Sequence, residues 1–269
     1  MRPVLAANYS AALAGLLAEE PGIVDAVKVS EFNPEYLQDY RLLRAAKPLI
    51  LHGLAQGAMP GNPGFRAVFD PEILEAAIRE TGPAYLSVHL EYWADGGQEQ
   101  GREAYLSRLA EDLTLLRATT GLPIHLENAH AMRPEPGGLC LAAFVTDPGF
   151  ITHALDATGS RFLLDLAHAR ITAWHLGVPL RSYLRDLPLH LVDEVHLVGV
   201  EEIAGEPRDK HAEMGGEDYA LLSALLQETP VRTVTLEYGG VGPLFAARSD
   251  RDALRRQLLR LREICERSA

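Results

Sequence analysis

The sequence predicts a single α/β domain over residues 1–269, folded as a (β/α)8 TIM barrel. Eight short apolar segments alternate with helical segments, and eight such units in roughly 250 residues are typical of this barrel. The apolar segments are nearly continuous, as expected for parallel strands that are buried on both faces. A doubly wound open sheet is the alternative, but no glycine-rich phosphate-binding turn follows the first predicted strand. No change in composition marks a linker between two domains.

The predicted strands are short runs of aliphatic residues. In chain order they cover residues 3–8, 23–29, 49–52, 85–90, 122–127, 161–165, 192–197 and 231–237. Each is followed by a connection that is long enough for a helix or a long loop, so successive strands are expected to be parallel.

The predicted helices lie between these strands and are identified by their start signals. They cover residues 10–20, 33–45, a helix from 70, 103–119, a helix from 147, a weaker one near 180–185, 217–228 and a final helix from 249. Asp70-Pro71 combines a capping side chain with a proline at the first helical position. Ser249 and Asp252 are predicted to form a capping box for the last helix.

Composition excludes several functional classes. The formal net charge of −12 argues against a general affinity for nucleic acid or anionic membranes, which depends on clustered lysine and arginine. Cys140 and Cys265 are too few for a disulfide framework, so a reducing cytoplasm is expected. No apolar run approaches the roughly 20 residues of a membrane span, so no membrane association is expected.

Six consecutive predicted strands end in, or within one residue of, a metal-ligand residue type. These residues are His52, His89, Glu127, Asp165, His196 and Glu237. His168, Asp209 and His211 are predicted on loops just beyond the strands. Because the carboxyl ends of barrel strands meet at one mouth, the nine side chains are expected to converge. Imidazole nitrogen and carboxylate oxygen are ligands of Zn, Fe and Mn, so the pattern predicts a metal site.

The charges of the four carboxylates in this set also indicate metal. Two like charges about 4 Å apart repel by about 4 kcal/mol at an effective dielectric near 20, so the cluster requires cations or protonation. Two or three divalent ions would neutralise it. His125 is expected to point the same way as Glu127 and to lie behind the ligands. The remaining histidines are expected to be solvated: His130, His153, His175 and His190.

Several short motifs resemble those of the multinuclear non-heme iron-dependent oxidases. They are Leu51-His52-Gly53, Glu127-Asn128, Leu163-Leu164-Asp165, the 187–189 to Val195-His196-Leu197 segment and Leu236-Glu237. The resemblance covers predicted strands three to eight. It implies a xylose-isomerase-like barrel and the modification of cysteine or nearby backbone in ribosomal peptides. It also implies that a partner protein can present the peptide.

The order of the ligand types also resembles the trinuclear zinc site of type IV apurinic endonucleases, through Asp165-x-x-His168 and Asp209-x-His211. Either resemblance implies the same division into three metal positions. The first is held by His52, His89 and Glu127; the second by Glu127 as a bridge with Asp165, His196 and Glu237; the third by His168, Asp209 and His211. Many oxidases have asparagine at the position of His168.

Three activities therefore compete: an iron oxidase of a peptide or small thiol, a zinc phosphodiesterase of damaged DNA, and a metal-dependent sugar isomerase. The mouth loops favour the oxidase with two or three iron ions, with zinc or manganese as the alternative metal. Residues 54–64 contain no lysine or arginine, Glu91, Asp95 and Glu99 follow the fourth strand, and three glutamates lie in 199–206. These charges would repel a DNA backbone, so no nucleic-acid partner is expected.

Three residues near the predicted mouth are candidate substrate contacts. Tyr92 and Trp93 follow His89 and could pack against a substrate, although aromatic side chains that cover the helix layer are equally expected there. Asn128 follows Glu127 and could donate a hydrogen bond to a ligand or substrate, or satisfy the loop.

Overall fold

Eight parallel strands close into a barrel, which confirms the predicted fold class. The computed structural model describes residues 2–30, 37–94, 101–132, 140–241 and 249–268. The barrel strands are β1 (Val4–Asn8), β2 (Ala26–Ser30), β3 (Leu49–His52), β4 (Leu86–Leu90), β6 (Ile124–Asn128), β8 (Arg161–Asp165), β9 (Val192–Leu197) and β12 (Thr233–Leu236). They follow one another around the barrel in sequence order, and β12 closes it against β1.

Helices surround the barrel. Within the described residues they are α1 (Ala11–Glu19), α2 (Leu37–Arg44), α3 (Phe65–Val68), α4 (Pro71–Thr81), α5 (Arg102–Thr120), α6 (Pro148–Thr158), α7 (Leu166–Leu176), α8 (Leu180–Asp186), α9 (Gly216–Glu228) and α10 (Arg251–Arg267). Across the part of the chain that is described, none of them is long and apolar enough to cross a membrane.

The helix caps largely follow the prediction. Asp70 accepts hydrogen bonds from the first turn of α4, with Pro71 at the first helical position. The final helix differs: Asp250 is its cap and accepts from Ala253 N at 2.7 Å, so the capping box predicted at Ser249 is wrong. The predicted start of the second helix, at residues 33–35, lies outside the described residues.

Helix α7 was not predicted from the sequence. It is enclosed by neighbouring elements and seven of its eleven residues are buried, so it lacks the periodic polar face by which a surface helix is identified. Asp165 ends β8 and also caps α7, because its Oδ1 accepts from His168 N at 2.6 Å. His168 was predicted to lie on a loop. It lies instead in the first turn of helix α7.

Two small antiparallel sheets stand outside the barrel where loops were predicted, and the second of them is a hairpin. Strand β5 (Trp93–Ala94) pairs with β7 (Cys140–Leu141), and β10 (Gly199–Ile203) pairs with β11 (Glu206–Ala212). The β10–β11 hairpin begins directly after β9, where a Cβ on Gly199 would clash with the carbonyl of Glu213. Asp209 and His211 lie on β11, which corrects their assignment to a loop: Asp209 pairs with Val200, and His211 lies at an irregularity of the pairing just before Ala212.

The barrel interior changes from apolar to polar along its axis. Near the amino ends of the strands, Ala6, Ala26 and Ile50 form a small apolar cluster with Tyr85 packed against it. Towards the carboxyl ends the inward side chains are polar or charged, and those of β6 and β9 are buried. This apolar base supports a charged mouth, as expected for a barrel enzyme.

Candidate metal centre

Among the described residues, two groups of three side chains could each hold a metal ion at the carboxyl ends of the strands. They are His52, His89 and Glu127 in one group, and Glu127, Asp165 and His196 in the other. In each group the ligand atoms lie within 4.8 Å of one another. The two groups share Glu127 on β6, which is the position that the sequence predicts for a bridging carboxylate.

The surroundings of the Glu127 carboxylate fit a bound cation. Its Oε2 lies 3.3 Å from His52 Nε2, 3.6 Å from His89 Nε2 and 3.7 Å from His196 Nδ1. Two ligands of one tetrahedral ion, each at about 2.1 Å from it, stand about 3.4 Å apart. Among the described residues, Glu127 Oε2 and Asp165 Oδ2 are buried oxygens with no hydrogen-bond partner. A metal ion would satisfy both.

The hydrogen bonds of His52 determine which of its nitrogens can bind metal. Ser87 Oγ lies 2.8 Å from His52 Nδ1 and 3.4 Å from the carbonyl oxygen of Leu51, which can only accept. The serine hydroxyl therefore donates to the carbonyl, and its oxygen accepts from the Nδ1–H of His52. This tautomer leaves the lone pair of Nε2 directed towards Glu127, as a ligand requires.

The rings of His168 and His211 are oriented in the same way as that of His52, by a hydrogen bond from Nδ1, and both approach Asp209. The Nδ1–H of His168 donates to the carbonyl of Asn128 at 2.8 Å, and that of His211 to the carbonyl of Glu237 at 2.7 Å. Their Nε2 atoms lie 3.4 and 3.7 Å from Asp209 Oδ2. His211 also has a φ of 50°, an uncommon backbone conformation outside glycine, which is a recurrent feature of functional sites.

His196 is oriented by a carboxylate below the mouth. Its Nε2 lies 3.1 Å from Oε1 of Glu194, which also accepts hydrogen bonds from Thr235 at 2.6 Å and, at Oε2, from Tyr85 at 2.7 Å. Glu194 is fully buried. Because its oxygens only accept, the Nε2–H of His196 is fixed and Nδ1 faces Glu127.

Three residues of this arrangement were missed in the sequence: Lys28, Tyr85 and Glu194. Lys28 is buried, its ammonium contacts the Glu237 carboxylate, and it lies 3.5 Å from His196 Nδ1. The signal for Lys28 was a lysine within an otherwise apolar strand. For Glu194 it was the spacing of two residues before His196, because residues two apart on a strand share a face.

Buried charges shift the pKa values of the shared carboxylate and its neighbours. Burial opposes ionisation of Glu127, but His89, His52 and His196 outweigh it and hold the Glu127 pKa well below its usual range. Burial also opposes protonation of His196, yet the Glu237 and Glu127 carboxylates raise its pKa to about 10. For His52, burial and the Lys28 ammonium lower the pKa well below its usual range.

The pKa values of Asp165 and His168 are both raised. Burial raises the pKa of Asp165 to about 7, with further upward contributions from the nearby carboxylates. Burial opposes protonation of His168, but Asp165 and Asp209 raise its pKa well above the usual value. Without metal, protons therefore stay on groups that a cation would require in their basic forms.

These shifts predict that the metal-free chain becomes less stable as the pH rises. A histidine with a raised folded-state pKa stabilises the fold fully below its ordinary pKa of about 6.5, and this stability is lost as the pH rises through the folded-state value, about 10 for His196. We expect the melting temperature of chelator-treated protein to fall on the order of 5–10 °C between pH 6.5 and 9.5. Metal-loaded protein should show a smaller fall, because the ions replace these protons. A flat profile without metal would contradict the assignment.

The predicted substrate contacts have different surroundings in the structure. Asn128 is fully buried, and its amide bonds to the backbone of Asp165, as donor at 3.1 Å and as acceptor at 2.8 Å. It thus joins the ends of β6 and β8, and its contact with a substrate stays a prediction. Tyr92 is buried in the core between Tyr105 and Phe144, which favours its predicted alternative role in the helix layer. Trp93 is half-buried at the mouth, and its indole N–H donates to Glu91 at 2.8 Å.

The histidines outside the ligand set differ in exposure. His125 lies below the mouth, stacked on Tyr85 at 4.0 Å between ring centres. His130 is half-buried with its ring 5.1 Å from that of His168, so the expectation that it is solvated is wrong. His153 and His190 are exposed as expected, whereas His175 is half-buried.

Some of the acidic residues that the sequence predicts at the barrel mouth lie within the described structure. Glu201 and Glu202 are exposed on the β10–β11 hairpin, while Asp95 and Glu99 lie outside the described residues. The side chains of His89 and His211 are 25% and 21% exposed, more than those of His52, Glu127 or His196. The candidate ligands are therefore reached by solvent at these two residues.

Sequence comparison identifies a family of peptide-modifying enzymes. The model of the family described as RiPP precursor modification enzyme MbnB/TglH/ChrH matches residues 25–250. This span contains all nine predicted ligand residues.

Curated relatives are similar over part of the chain. A UPF0276 protein of Paraburkholderia phytofirmans is 26% identical over 167 residues, and UPF0276 protein RB0508 of Rhizobium meliloti is 29% identical over 170 residues. Each match covers 60% of this chain and 52% of the relative. The matched region thus spans about half the length of these relatives.

Solved structures with the same fold cover nearly the whole chain. A D-tagatose 3-epimerase-like protein superposes with a TM-score of 0.64 at 16% identity, covering 99% of this chain and 100% of that one. An IOLI protein with a bound zinc atom gives 0.66 at 14% identity, covering 99% of each chain. At this level of identity the similarity establishes the fold, a xylose-isomerase-like TIM barrel, and no more.

Proposed function

The chain belongs to the family of RiPP precursor modification enzymes MbnB/TglH/ChrH, and from this premise we propose that it is an iron-dependent oxidase acting on cysteine in a peptide. A small thiol is the minimal form of the same substrate. Membership of this family supports the assignment of the chain as a metal-dependent enzyme that modifies peptides. Iron, oxygen dependence and the cysteine target are the parts that experiment must test.

The observation that carries the proposal is the buried Oε2 of Glu127, which has three imidazole nitrogens at 3.3–3.7 Å and, within the described part of the chain, no hydrogen-bond partner. An ionised, buried carboxylate oxygen without a donor is unfavourable by several kcal/mol unless a cation binds it. The arrangement is therefore explained by a cation that the histidines and this oxygen share.

The residues that would hold the ions follow from this geometry. His52, His89 and Glu127 would bind the first ion, and Glu127, Asp165 and His196 the second. Glu237 Oε1 lies 3.2 Å from His196 Nδ1, close enough to join the second group, and also contacts Lys28. The third predicted group is His168, Asp209 and His211. Bound iron would supply a redox-active centre that can accept thiolate and react with oxygen.

The chain's own residues would bind and orient the substrate beside this centre. The side chains of His89 and His211 are more exposed than those of His52, Glu127 and His196, so a cysteine side chain would approach from the solvent that reaches these two residues. Trp93, four positions after His89 and half-buried against the apolar core, would offer the exposed part of its ring as an apolar contact surface. Ser87 and Glu194 fix the ring orientations of His52 and His196, which keeps the ligand geometry constant while substrate binds. A partner protein that presents the peptide is part of the proposal.

The direct test combines metal analysis with substrate assays. Protein purified without oxygen or chelator should contain two or three iron ions per chain. It should consume oxygen in the presence of a cysteine-containing peptide encoded near its gene, and the peptide should change in mass. The same peptide with serine in place of cysteine is the matched control and should give neither signal. Less than one metal ion per chain after metal-supplemented expression would refute the metal centre.

The competing activities are separate outcomes of the same preparation. Metal-dependent nicking of duplex DNA at an abasic site would replace the oxidase by a phosphodiesterase. Interconversion of a ketose with its epimer or aldose would replace it by a sugar isomerase. The exposed acidic residues Glu201 and Glu202 on the mouth hairpin support the expectation that DNA binds weakly at physiological salt.

The third ion position has its own prediction. His168→Ala and His211→Ala are each expected to lose about one ion per chain, because each removes one of two imidazoles beside Asp209. The ions held by Glu127 should remain, and the barrel should stay folded by circular dichroism. His153→Ala, an exposed histidine on α6, is the matched control and should keep the full metal content. Loss of every ion in His211→Ala would contradict three separate positions.

A further inference from the structure

Lys28 is a buried cation in the same mouth and has no assigned part in the proposed centre. It lies in the middle of β2, its residue is only 4% exposed, and its backbone pairs with the neighbouring barrel strands at Asn8 and Ile50. The ammonium contacts Oε1 of Glu237 and lies 3.5 Å from Nδ1 of His196. Lys28 thus approaches the metal ligands from inside the barrel.

A buried ammonium requires an opposite charge in contact with it. Leaving one member of a buried ion pair without its partner is strongly unfavourable, because the remaining charge is then neither hydrated nor compensated. Glu237 is the carboxylate that contacts Lys28, and it is itself buried. If Glu237 turned towards a metal ion, Lys28 would lose this compensation.

The position of Lys28 also conflicts with an ion held by Glu237. Glu194 engages Nε2 of His196, so Nδ1 is the atom available to metal, and this same atom has both the Glu237 carboxylate at 3.2 Å and the Lys28 ammonium at 3.5 Å. A divalent ion between His196 and Glu237 would stand against a like charge in a medium of low dielectric.

We infer that Lys28 and Glu237 form an internal ion pair that removes Glu237 from the ligand set, so that the second ion is held by Glu127, Asp165 and His196. Lys28 is a positioning residue in this arrangement. Its ammonium provides the positive charge that compensates the Glu237 carboxylate, in place of a metal ion. The inference rests on the proposed metal centre and assigns Glu237 a role different from the one that the resemblance implies.

The test is a set of zinc titrations on the full chain, with Zn²⁺ as a redox-inert probe and a chelating indicator as competitor. Glu237→Gln leaves the ammonium uncompensated beside His196, so we expect at least one zinc dissociation constant to rise by about tenfold or more. Lys28→Met leaves Glu237 available to metal and should tighten binding by about tenfold or more. The double variant removes both charges and should return to within about threefold of wild type.

The double variant separates the two roles of Glu237. If Glu237 were a metal ligand, the double variant would lack that ligand and bind zinc about tenfold or more weakly than wild type, and that result would overturn the inference. Zinc dissociation constants equal to those of wild type in Glu237→Gln, or in Lys28→Met, would overturn it as well. Circular dichroism and melting of the metal-free variants show whether each one folds. If Glu237→Gln does not fold, the comparison of the double variant with wild type is still decisive, because a neutral pair replaces a charged one.

Two controls isolate the effect. Lys47→Met removes a lysine that donates to the carbonyl of Val24 at 2.7 Å, outside the ligand set, and should leave every zinc constant unchanged. The wild-type titration distinguishes this inference from the proposed function. A wild-type chain that binds less than one zinc ion refutes the metal centre and the inference with it. A wild-type chain that binds zinc, with no recovery in the double variant, refutes only the role of Lys28.

Discussion

Glu127→Gln is expected to disturb two metal ions at once, which is the largest effect of any single substitution in this site. Glu127 belongs to both ligand groups, whereas His52, His89, Asp165 and His196 each belong to one. A neutral amide is a poor bridging ligand and leaves the cluster one negative charge short. We expect affinity for both ions to fall by more than about hundredfold, beyond the roughly 10–100-fold cost of removing a residue that only supports a ligand.

The measurement is metal content after anaerobic purification, together with competition against a chelator. Glu213→Gln is the matched control, because Glu213 is an exposed glutamate that pairs with Arg256 on α10 and contacts none of the predicted ligands in the described structure. It should retain the wild-type metal content. If Glu127→Gln kept both ions while His211→Ala lost all of them, the bridge would have to be assigned to another residue.

The strand pattern made the fold and the position of the site predictable. In a parallel barrel each strand is largely apolar except towards its carboxyl end, so its limits appear in the sequence, and the carboxyl ends must meet at one mouth. Glu127, Asp165 and His196 could therefore be grouped without knowledge of their distances. The structure brings five of the nine predicted ligands into two groups with metal-binding spacing.

The parts that were missed depend on contacts between segments that are distant in the sequence. Helix α7 is buried on most of its surface and has no amphipathic pattern to identify it. The β10–β11 hairpin is held by pairing of short polar strands, and such strands have little intrinsic preference for that structure. Lys28 contacts Glu237 across 209 positions of sequence, and nothing near Lys28 in the chain indicates that partner.

The same charges that prepare the mouth for metal destabilise it without metal. Asp165 illustrates this, because burial and neighbouring carboxylates raise its pKa to about 7. The protein retains a carboxylate where a neutral group would suit the metal-free fold better. Functional sites commonly carry such a cost, which bound ligand then offsets.

Asp165→Asn is therefore expected to stabilise the metal-free chain while it weakens metal binding. The asparagine oxygen can still accept from His168 N, so the cap of α7 is kept, but Oδ2 is replaced by a neutral nitrogen that cannot bind a cation. We expect the metal content to fall by about one ion per chain. In contrast, Asp165→Ala should lose the same ion and also about 1 kcal/mol of stability through the missing cap.

The pH dependence of these two variants isolates the carboxylate charge from the cap. A group whose folded-state pKa is raised loses its stabilising effect as the pH rises from the unfolded value, near 4, to the folded value, about 7 for Asp165. The advantage of metal-free Asp165→Asn over wild type in the free energy of unfolding should therefore be larger at pH 8 than at pH 5, on the order of 2–3 kcal/mol. Asp165→Ala should show the same change with pH, displaced downward by the missing cap.

Urea unfolding of chelator-treated protein at the two pH values measures both quantities. An Asp165→Asn chain that is less stable than wild type at pH 8 would show that the carboxylate is compensated without metal, and the electrostatic basis for the second ion would then fail.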